Sequence, residues 1–310
     1  MSEGSSNGNP KTLADVSHLF FSGAGAQRDE GVDAADRPTV EVGRPPEHAD
    51  TPAATRVFVV TGADAAPGKS TVAVNVAQSL VVHGRTGLYD ADSRVPNARF
   101  YLGLPSWHYL SPLTGGGTPA PNVLTDSGLV VVDGVPGADI SVADRGGDGV
   151  VSAQLPGGDA CVLDYAVVDA PLSAAVGLAA DRGLATRLIV VSRPGERGFF
   201  ETHAVLARLA REAGVRAAGQ VVNRAPSTSY ARAFHAKTRL AAERLLSVDV
   251  SFLGGLVREP DLGALQRERG VMVRSRPDAT SALLLREIAS NALELREAYT
   301  SLAGGPESSA

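Results

Sequence analysis

The chain has 310 residues, of which 44% are hydrophobic and 20% are charged, so it can bury the core of one sizeable domain with tails. Its formal net charge of −5 gives no general attraction to nucleic acid or to anionic lipid. The single cysteine excludes an internal disulfide, and the sequence has neither a secretion signal nor an apolar run of the roughly 18 residues that a membrane span needs. These features indicate a cytoplasmic protein.

The two ends of the chain have the composition of disordered segments. Residues 1–54 are rich in Gly, Ser, Pro, Ala and Asp, and they carry nine carboxylates against four Lys or Arg. Within this acidic leader, residues 12–21 place apolar side chains at helical spacing, which predicts a short helix that either binds a partner or packs on its own domain. Residues 303–310 form a polar tail.

Alternating strand and helix patterns run from residue 55 to residue 302 and predict a single domain. A short β-branched strand, "RVFVVTG", is followed by "KSTVAVNVAQSLVVHG", a helix that we expect to end at Gly84. Further strands are predicted at "TGLYDAD", "YAVVDAP", "RLIVVSR" and "AAGQVVN". Helices between such strands indicate an α/β fold with a doubly wound, mainly parallel sheet. In the Gly- and Pro-rich stretch 103–160, "GLVVVDG" is the best strand.

The turn between the first strand and the first helix has the residue types of a phosphate-binding loop. Such a loop needs small residues whose backbone N–H groups surround phosphate, a Lys for the terminal phosphates and a hydroxyl for Mg²⁺. Gly68, Lys69 and Ser70 supply these in the right order. The strict pattern has Gly at the position of Ala63, whereas this chain has Gly62 one residue earlier. The sequence therefore predicts a nucleotide site with an imperfect loop.

Carboxylates follow two of the predicted strands. Asp90 and Asp92 come at the end of one strand, and Asp169 ends another. Because the carboxyl ends of parallel strands meet at one edge of a sheet, we expect these side chains to converge near the loop. Carboxylate oxygens are typical Mg²⁺ ligands, so a metal site is predicted there.

In combination, these segments resemble the MinD/ParA family of deviant Walker-type P-loop ATPases, and most closely its FlhG branch of flagellar-number regulators. The resemblance covers roughly residues 56–300 and rests on the order and spacing of five segments. They are "VFVVTGADAAPGKSTVAVNVAQSLVVHGRTGLYDADSRVPNARFYLGL", "YAVVDAP", "LIVVSRPGERGFFETHAVLARL", "GQVVNRAPS" and "ERLLSVDVSFLGGLVREPDLGALQRERGVMV". The resemblance implies this family's fold, with ATP and Mg²⁺ as cofactors.

The resemblance also implies which residues contact the nucleotide. In the loop, the residues expected around the phosphates are Ala63, Asp64, Ala65, Ala66, Pro67, Gly68, Lys69, Ser70 and Thr71. Asn223 matches the family's adenine-contacting Asn, and Pro260 falls in the loop that flanks the base.

Catalytic and metal roles follow from the same resemblance. Lys69 on the phosphates and Asp92 on the attacking water are the expected catalytic residues. Ser70 would bind Mg²⁺ directly, Asp90 would lie in the first switch beside the metal, and Asp169 would occupy the Walker B position.

Asp64 departs from the family pattern. The resemblance places there a second Lys, which in the family reaches the phosphates of a partner subunit across a nucleotide-bound dimer. An Asp reverses that charge, and repulsion toward a polyanion in a partly dry interface would cost several kcal/mol. We therefore expect ATP-dependent dimerisation to be weak, and hydrolysis to be slow or absent.

The resemblance implies a spatial or numerical regulator of a cell-surface or division apparatus, which protein partners recruit to a pole or to the membrane. One alternative is a catalytically inactive adaptor that localises a partner, similar to TadZ/CpaE proteins. Another is a small-molecule ligase on the same fold, for which residues 103–160 contain no substrate motif.

Two segments bear on membrane and nucleic-acid binding. The last predicted helix, "SALLLREIASNALELREAYTSL", has three Glu and two Arg and lacks the basic face of a membrane anchor. A basic cluster lies in "NRAPSTSYARAFHAKTRLAAER" and consists of Arg224, Arg232, Lys237, Arg239 and Arg244. Because the chain is acidic overall, this cluster favours a solvated helix face over a nucleic-acid site.

Overall fold

The computed structural model describes residues 54–63, 68–91, 98–104, 123–133, 142–143, 150–154, 160–258 and 271–299. The predicted partner helix at 12–21, nearly all of the predicted leader and the tail lie outside these residues. Among the described residues, no helix is long and apolar enough to cross a membrane.

Short apolar runs of the sequence form eleven strands in the described part of the chain. In chain order these are β1 (Arg56–Thr61), β2 (Thr86–Asp90), β3 (Val123–Leu124), β4 (Val130–Asp133), β5 (Val142–Ala143), β6 (Val150–Gln154), β7 (Ala160–Val162), β8 (Tyr165–Asp169), β9 (Ala185–Ser192), β10 (Ala217–Ala225) and β11 (Asp249–Val257).

Eight of these strands form the main sheet, in the order β11-β10-β9-β1-β8-β2-β4-β3. Every pairing in it is parallel except that of β3 with β4, which is antiparallel. The remaining strands, β5 to β7, form a small antiparallel sheet. The predicted doubly wound, mainly parallel α/β fold is therefore confirmed.

Seven helices connect or flank these strands in the described residues. They are α1 (Lys69–Leu80), α2 (Ala98–Tyr101), α3 (Leu172–Ala180), α4 (Glu196–Ala213), α5 (Thr228–Leu246), α6 (Met272–Ser275) and α7 (Thr280–Leu293).

Side chains of the central strands alternate between two apolar cores, one on each face of the main sheet. On β1, Phe58 and Val60 pack with α1 and α7, whereas Val57 and Val59 pack with α3 and α4. All four side chains are fully buried. A strand that is covered on both faces must be apolar at every position, which explains the unbroken "VFVV" run.

The helix after the loop ends earlier than predicted, at Leu80 rather than Gly84. The N–H of His83 donates to the carbonyl of Leu80 at 2.8 Å, a three-residue spacing that closes the last turn tightly. The Gly at position 84 serves another purpose. A Cβ there would lie 2.8 Å from Oδ2 of Asp164, so glycine allows the two segments to approach.

A C-terminal strap, residues 295–299, crosses the amino ends of two central strands. The N–H of Ala298 donates to the carbonyl of Thr186 in β9 at 2.8 Å, and the N–H of Arg216, just before β10, donates to the carbonyl of Ala298 at 2.9 Å. The hydroxyl of Tyr299 donates to a backbone carbonyl of α4 at 2.6 Å. These bonds fix the strap on the edge of the sheet that is opposite the loop.

A buried polar network joins β9, β10 and α5. The Nε2 of Gln220 donates to Oγ of Ser192 at 2.8 Å, so its Oε1 accepts from Nδ1 of His235 at 2.8 Å. Burial lowers the pKa of His235 to about 4, with nearby Arg239 adding to the effect and Asp249 opposing it.

Between pH 6.5 and 4 we expect this histidine to make the protein less stable as pH falls. Its pKa is lower in the folded chain than the usual 6.5, so in this window the unfolded chain binds more protons. Because the ring is partly exposed, the effect should be about 1–2 kcal/mol, less than the full shift would give. Denaturant unfolding at pH 7 and pH 5 should show a smaller loss of stability for His235→Gln than for the wild type. The matched control is His83→Gln at an exposed site, and an equal loss in both variants would contradict the assignment.

Candidate functional site

The first turn of α1 forms one wall of the candidate site. The loop leaves β1 through Gly62 and Ala63, and it enters the helix at Gly68, whose φ is +95°. The carbonyl of Gly68 accepts a bond from the N–H of Val72 at 2.9 Å, so the helix is closed from its first turn. This places the N–H groups of the first helical turn at the carboxyl edge of the sheet, an arrangement that suits an anion.

Asn223 lies directly against this turn. A Cβ built on Gly68 would be 2.1 Å from Nδ2 of Asn223, so the amide fills the space that a larger residue would need. Asn223 is only 7% exposed, and its Oδ1 accepts from the backbone N–H of Arg224 at 2.9 Å. The structure thus brings together two predicted site residues from distant parts of the chain.

The side chain of Lys69 folds back over the start of the loop. Its Nζ donates to the carbonyl of Ala63 at 3.2 Å. A phosphate oxygen, being charged, is a stronger acceptor for an ammonium group than a peptide carbonyl is. Lys69 is therefore placed to exchange this carbonyl for an anion held at the same loop.

Two carboxylates end neighbouring strands at the same edge. Asp90 of β2 and Asp169 of β8 are register partners, and Asp169 also pairs with Val60 at the end of β1. Their exposed fractions are 1% and 3%, so both are buried. Oδ2 of Asp90 accepts from the backbone N–H of Ala98 at 2.8 Å, where α2 begins. The strand ends that carry these two carboxylates are therefore adjacent, and their role at a metal stays a prediction.

The donor set fits a magnesium ion only in part. Carboxylate oxygens and a hydroxyl are suitable ligands, and Ser70 follows Lys69 in the first turn of α1. Within the described residues there is no group of three His, Cys, Asp or Glu side chains that could hold a metal by itself. A cation here would need phosphate oxygens and water to complete its coordination, as Mg²⁺ commonly does.

Sequence reasoning missed two polar residues beside the loop. Thr61, the last residue of β1, is fully buried, and its Oγ1 has no hydrogen-bond partner among the described residues. Asn75 of α1 donates to the carbonyl of Thr71 at 2.8 Å and accepts from the N–H of Val273 at 3.1 Å. It therefore ties the chain that follows residues 259–270 to the loop helix. Both positions fit ordinary strand and helix patterns, so nothing in the sequence distinguished them.

Other predicted site residues fall outside the described part of the chain. These are Asp64, Ala65, Ala66, Pro67, Asp92 and Pro260. Their roles stay predictions. Thr71, which was predicted to contact a phosphate, is described and is 8% exposed in the first turn of α1.

Several solved structures have a fold similar to that of this chain. A chain of the MinC:MinD cell division protein complex of Aquifex aeolicus matches with a TM-score of 0.54 and 17% identity, over 78% of this chain and 96% of that one. The septum site-determining protein MinD of Pyrococcus horikoshii, solved with Mg-ADP, matches with a TM-score of 0.54 and 17% identity, over 76% and 95%.

The chain has the fold of MinD. A third match is a variant of McdA from Cyanothece in complex with ATP, with a TM-score of 0.51, 13% identity, and coverage of 80% of this chain and 100% of that one. No protein-family model matches the sequence, and no curated protein matches it significantly. At these identities the similarity establishes the fold, so the particular resemblance to FlhG has no support beyond the sequence motifs.

Proposed function

We propose that this chain binds ATP with Mg²⁺ at the carboxyl edge of its main sheet and acts as a slow ATPase. The observation that carries the proposal is the junction of Gly68 and Lys69 at the start of α1, on the sheet edge where Asp90 and Asp169 are buried in register. Backbone N–H groups and an ammonium complement phosphate, and the carboxylates complement a divalent cation. MinD solved with Mg-ADP and McdA solved with ATP share the fold, which supports this choice of ligand.

In this proposal each side chain has a definite task. The ammonium of Lys69 leaves the carbonyl of Ala63 and holds the terminal phosphates, and Ser70 binds the metal. Asp169, at the end of β8 next to β1, would help to hold the metal. Asn223, already against the loop, contacts the base.

The bond from Ala98 to Asp90 suggests how nucleotide state could alter the surface. Asp90 lies at the proposed metal site and also accepts the first N–H of α2. A ligand that changes the position of this carboxylate would change the start of α2 as well. We propose that a partner reads this change, and that the chain is a FlhG-like spatial or numerical regulator of a cell-surface or division apparatus.

A second candidate function is a non-catalytic adaptor that localises a partner. It is favoured by Asp64, which puts a negative charge in the loop where the resemblance implies a Lys. An adaptor of this kind would use its surfaces without nucleotide turnover.

Titration calorimetry with Mg-ATP and Mg-ADP distinguishes the ATPase regulator from the non-catalytic adaptor. Phosphate release is measured on the same preparation. The regulator requires ATP binding and slow turnover that depends on Mg²⁺. A wild-type chain that binds neither nucleotide contradicts the proposed ATPase and leaves the adaptor.

We expect Asp64→Lys to increase ATP-dependent dimerisation by at least about tenfold, because it replaces repulsion toward a neighbouring subunit's phosphates by attraction. Light scattering with and without Mg-ATP measures the dimer. The matched control is Asp278→Lys, the same charge change at an exposed position between α6 and α7. Equal dimerisation of the two variants would show that residue 64 does not face a partner's phosphates.

A further inference from the structure

Helix α5 (Thr228–Leu246) has a second face that is exposed in the described part of the chain. One side packs on the sheet through four buried residues, which are Ala231, Phe234, Thr238 and Ala242. On the opposite side Ala233, Ala236 and Leu240 form an exposed apolar row, and Leu240 is 48% exposed. Steps of three and then four residues are the spacing of the a and d positions of a coiled coil.

Basic residues border this row on both sides. With Ala233 at an a position, the flanking g and e positions are occupied by four exposed cations, which are Arg232, Lys237, Arg239 and Arg244. The only acidic residue of the helix is Glu243, which falls at the d position where the row ends. Every flanking position of the row is therefore cationic. We call the row and its four cations the α5 face.

The cations of the α5 face differ from those of the preceding helix, α4 (Glu196–Ala213). There Arg197 pairs with Glu201 at 2.8 Å, and Arg208 pairs with Glu212 at 3.0 Å. Among the described residues, none of the four cations of the α5 face has an ion pair. Arg232 lies over the ring of Phe252 at 5.1 Å, which leaves its charge uncompensated. The positive charge of this face is thus available to a partner.

We propose that the α5 face binds an amphipathic partner helix whose apolar seam is flanked by acidic residues. In paired helices the residues at e and g contact those of the other helix, and opposite charges there select the partner. Alanines at two of the seam positions let a partner backbone approach closely. None of the residues of the α5 face belongs to the proposed nucleotide site.

Charge and shape favour this occupant over two others. A second copy of α5 would place cations opposite cations at every flanking position, which opposes self-association. Duplex DNA would neutralise the cations, but its phosphates offer nothing to the apolar row between them.

The test uses the full chain and two fluorescent peptides of roughly three heptads, a length at which a helix can form. Both have Leu at a and d; one has Glu at e and g, and the other has Lys. We expect the Glu peptide to bind at least tenfold more tightly than the Lys peptide in fluorescence anisotropy. The double charge reversal Lys237→Glu with Arg244→Glu should lower the affinity for the Glu peptide at least tenfold and raise the affinity for the Lys peptide.

The same titrations include two control variants. Arg211→Glu, at an exposed position of α4, should change binding less than twofold, and Lys69→Ala should bind the Glu peptide as the wild type does. Circular dichroism checks that the variants are folded. The proposal is overturned if the wild type does not bind the Glu peptide or if the reversal leaves its binding unchanged. A random-sequence DNA duplex that binds in place of the Glu peptide would also overturn it.

Discussion

Replacing Lys69 by Ala is expected to lower the affinity for Mg-ATP by about 100-fold, or roughly 3 kcal/mol. In the structure this ammonium is held at 3.2 Å from the carbonyl of Ala63, at the mouth of the loop, and its loss removes the proposed charge-assisted contacts to the terminal phosphates. Titration calorimetry of the two proteins measures the change directly. The fold should be preserved, because the side chain is only partly buried and makes one hydrogen bond, to a backbone carbonyl, among the described residues.

Lys237→Ala is the matched control for this prediction. It makes the same chemical change on an exposed face of α5 and should leave the dissociation constant for Mg-ATP within a factor of about two. If Lys69→Ala binds Mg-ATP as tightly as the control does, the loop is not the nucleotide site. Loss of binding in both variants would instead indicate a general effect of charge.

Gly68→Ala is expected to lower both nucleotide affinity and stability. The φ of +95° is strained for any residue with a Cβ, and that Cβ would meet Nδ2 of Asn223 at 2.1 Å. Asn223 is buried and bonded to the N–H of Arg224, so it can yield only by giving up that position. Together we expect a loss of roughly 2–4 kcal/mol in unfolding free energy. Mg-ATP affinity should fall by at least about tenfold, because Asn223 and the loop both move.

Gly177→Ala provides the comparison for this substitution. Gly177 lies inside α3, and a Cβ there would meet no atom of the described residues within 4 Å. Alanine should therefore stabilise the helix by about 0.5–1 kcal/mol. Chemical denaturation of the two variants and the wild type shows whether Gly68→Ala lowers the free energy of unfolding and Gly177→Ala raises it. A Gly68→Ala chain as stable as Gly177→Ala would contradict the close approach of Asn223 to the loop.

Six of the eight strands of the main sheet could be predicted because they leave a strong pattern, whereas the edge strand β11, with two glycines in its middle, was not predicted as a strand. Strands such as β1 and β9 are buried on both faces and read as unbroken apolar runs between helices. The small sheet and β3 could not be predicted in the same way. Strands β3, β5 and β7 have only two or three residues each, within a stretch rich in Gly, Pro and Asp. Periodicity cannot be recognised in so few positions.

Only part of the candidate site could be predicted from the sequence. The placement of Lys69, Asp90 and Asp169 at one edge of the sheet was predictable, because loops and strand ends have fixed positions in a parallel sheet. The contact between Gly68 and Asn223 depends on how β10 is placed relative to α1, which residue spacing does not determine. Asn75 was missed for a related reason, since its partner Val273 comes from a distant part of the chain.

The strap has a practical consequence for surface-based assays. Since Ala298 is bonded to Thr186 and Arg216 at the amino ends of β9 and β10, a chain immobilised through residues 295–299 is held by the edge away from the loop. The eight residues of β9 separate the two edges by about 25 Å. A sensor chip that captures the protein at this end would leave the loop of Gly68 facing the flowing solution, open to small molecules and to proteins alike.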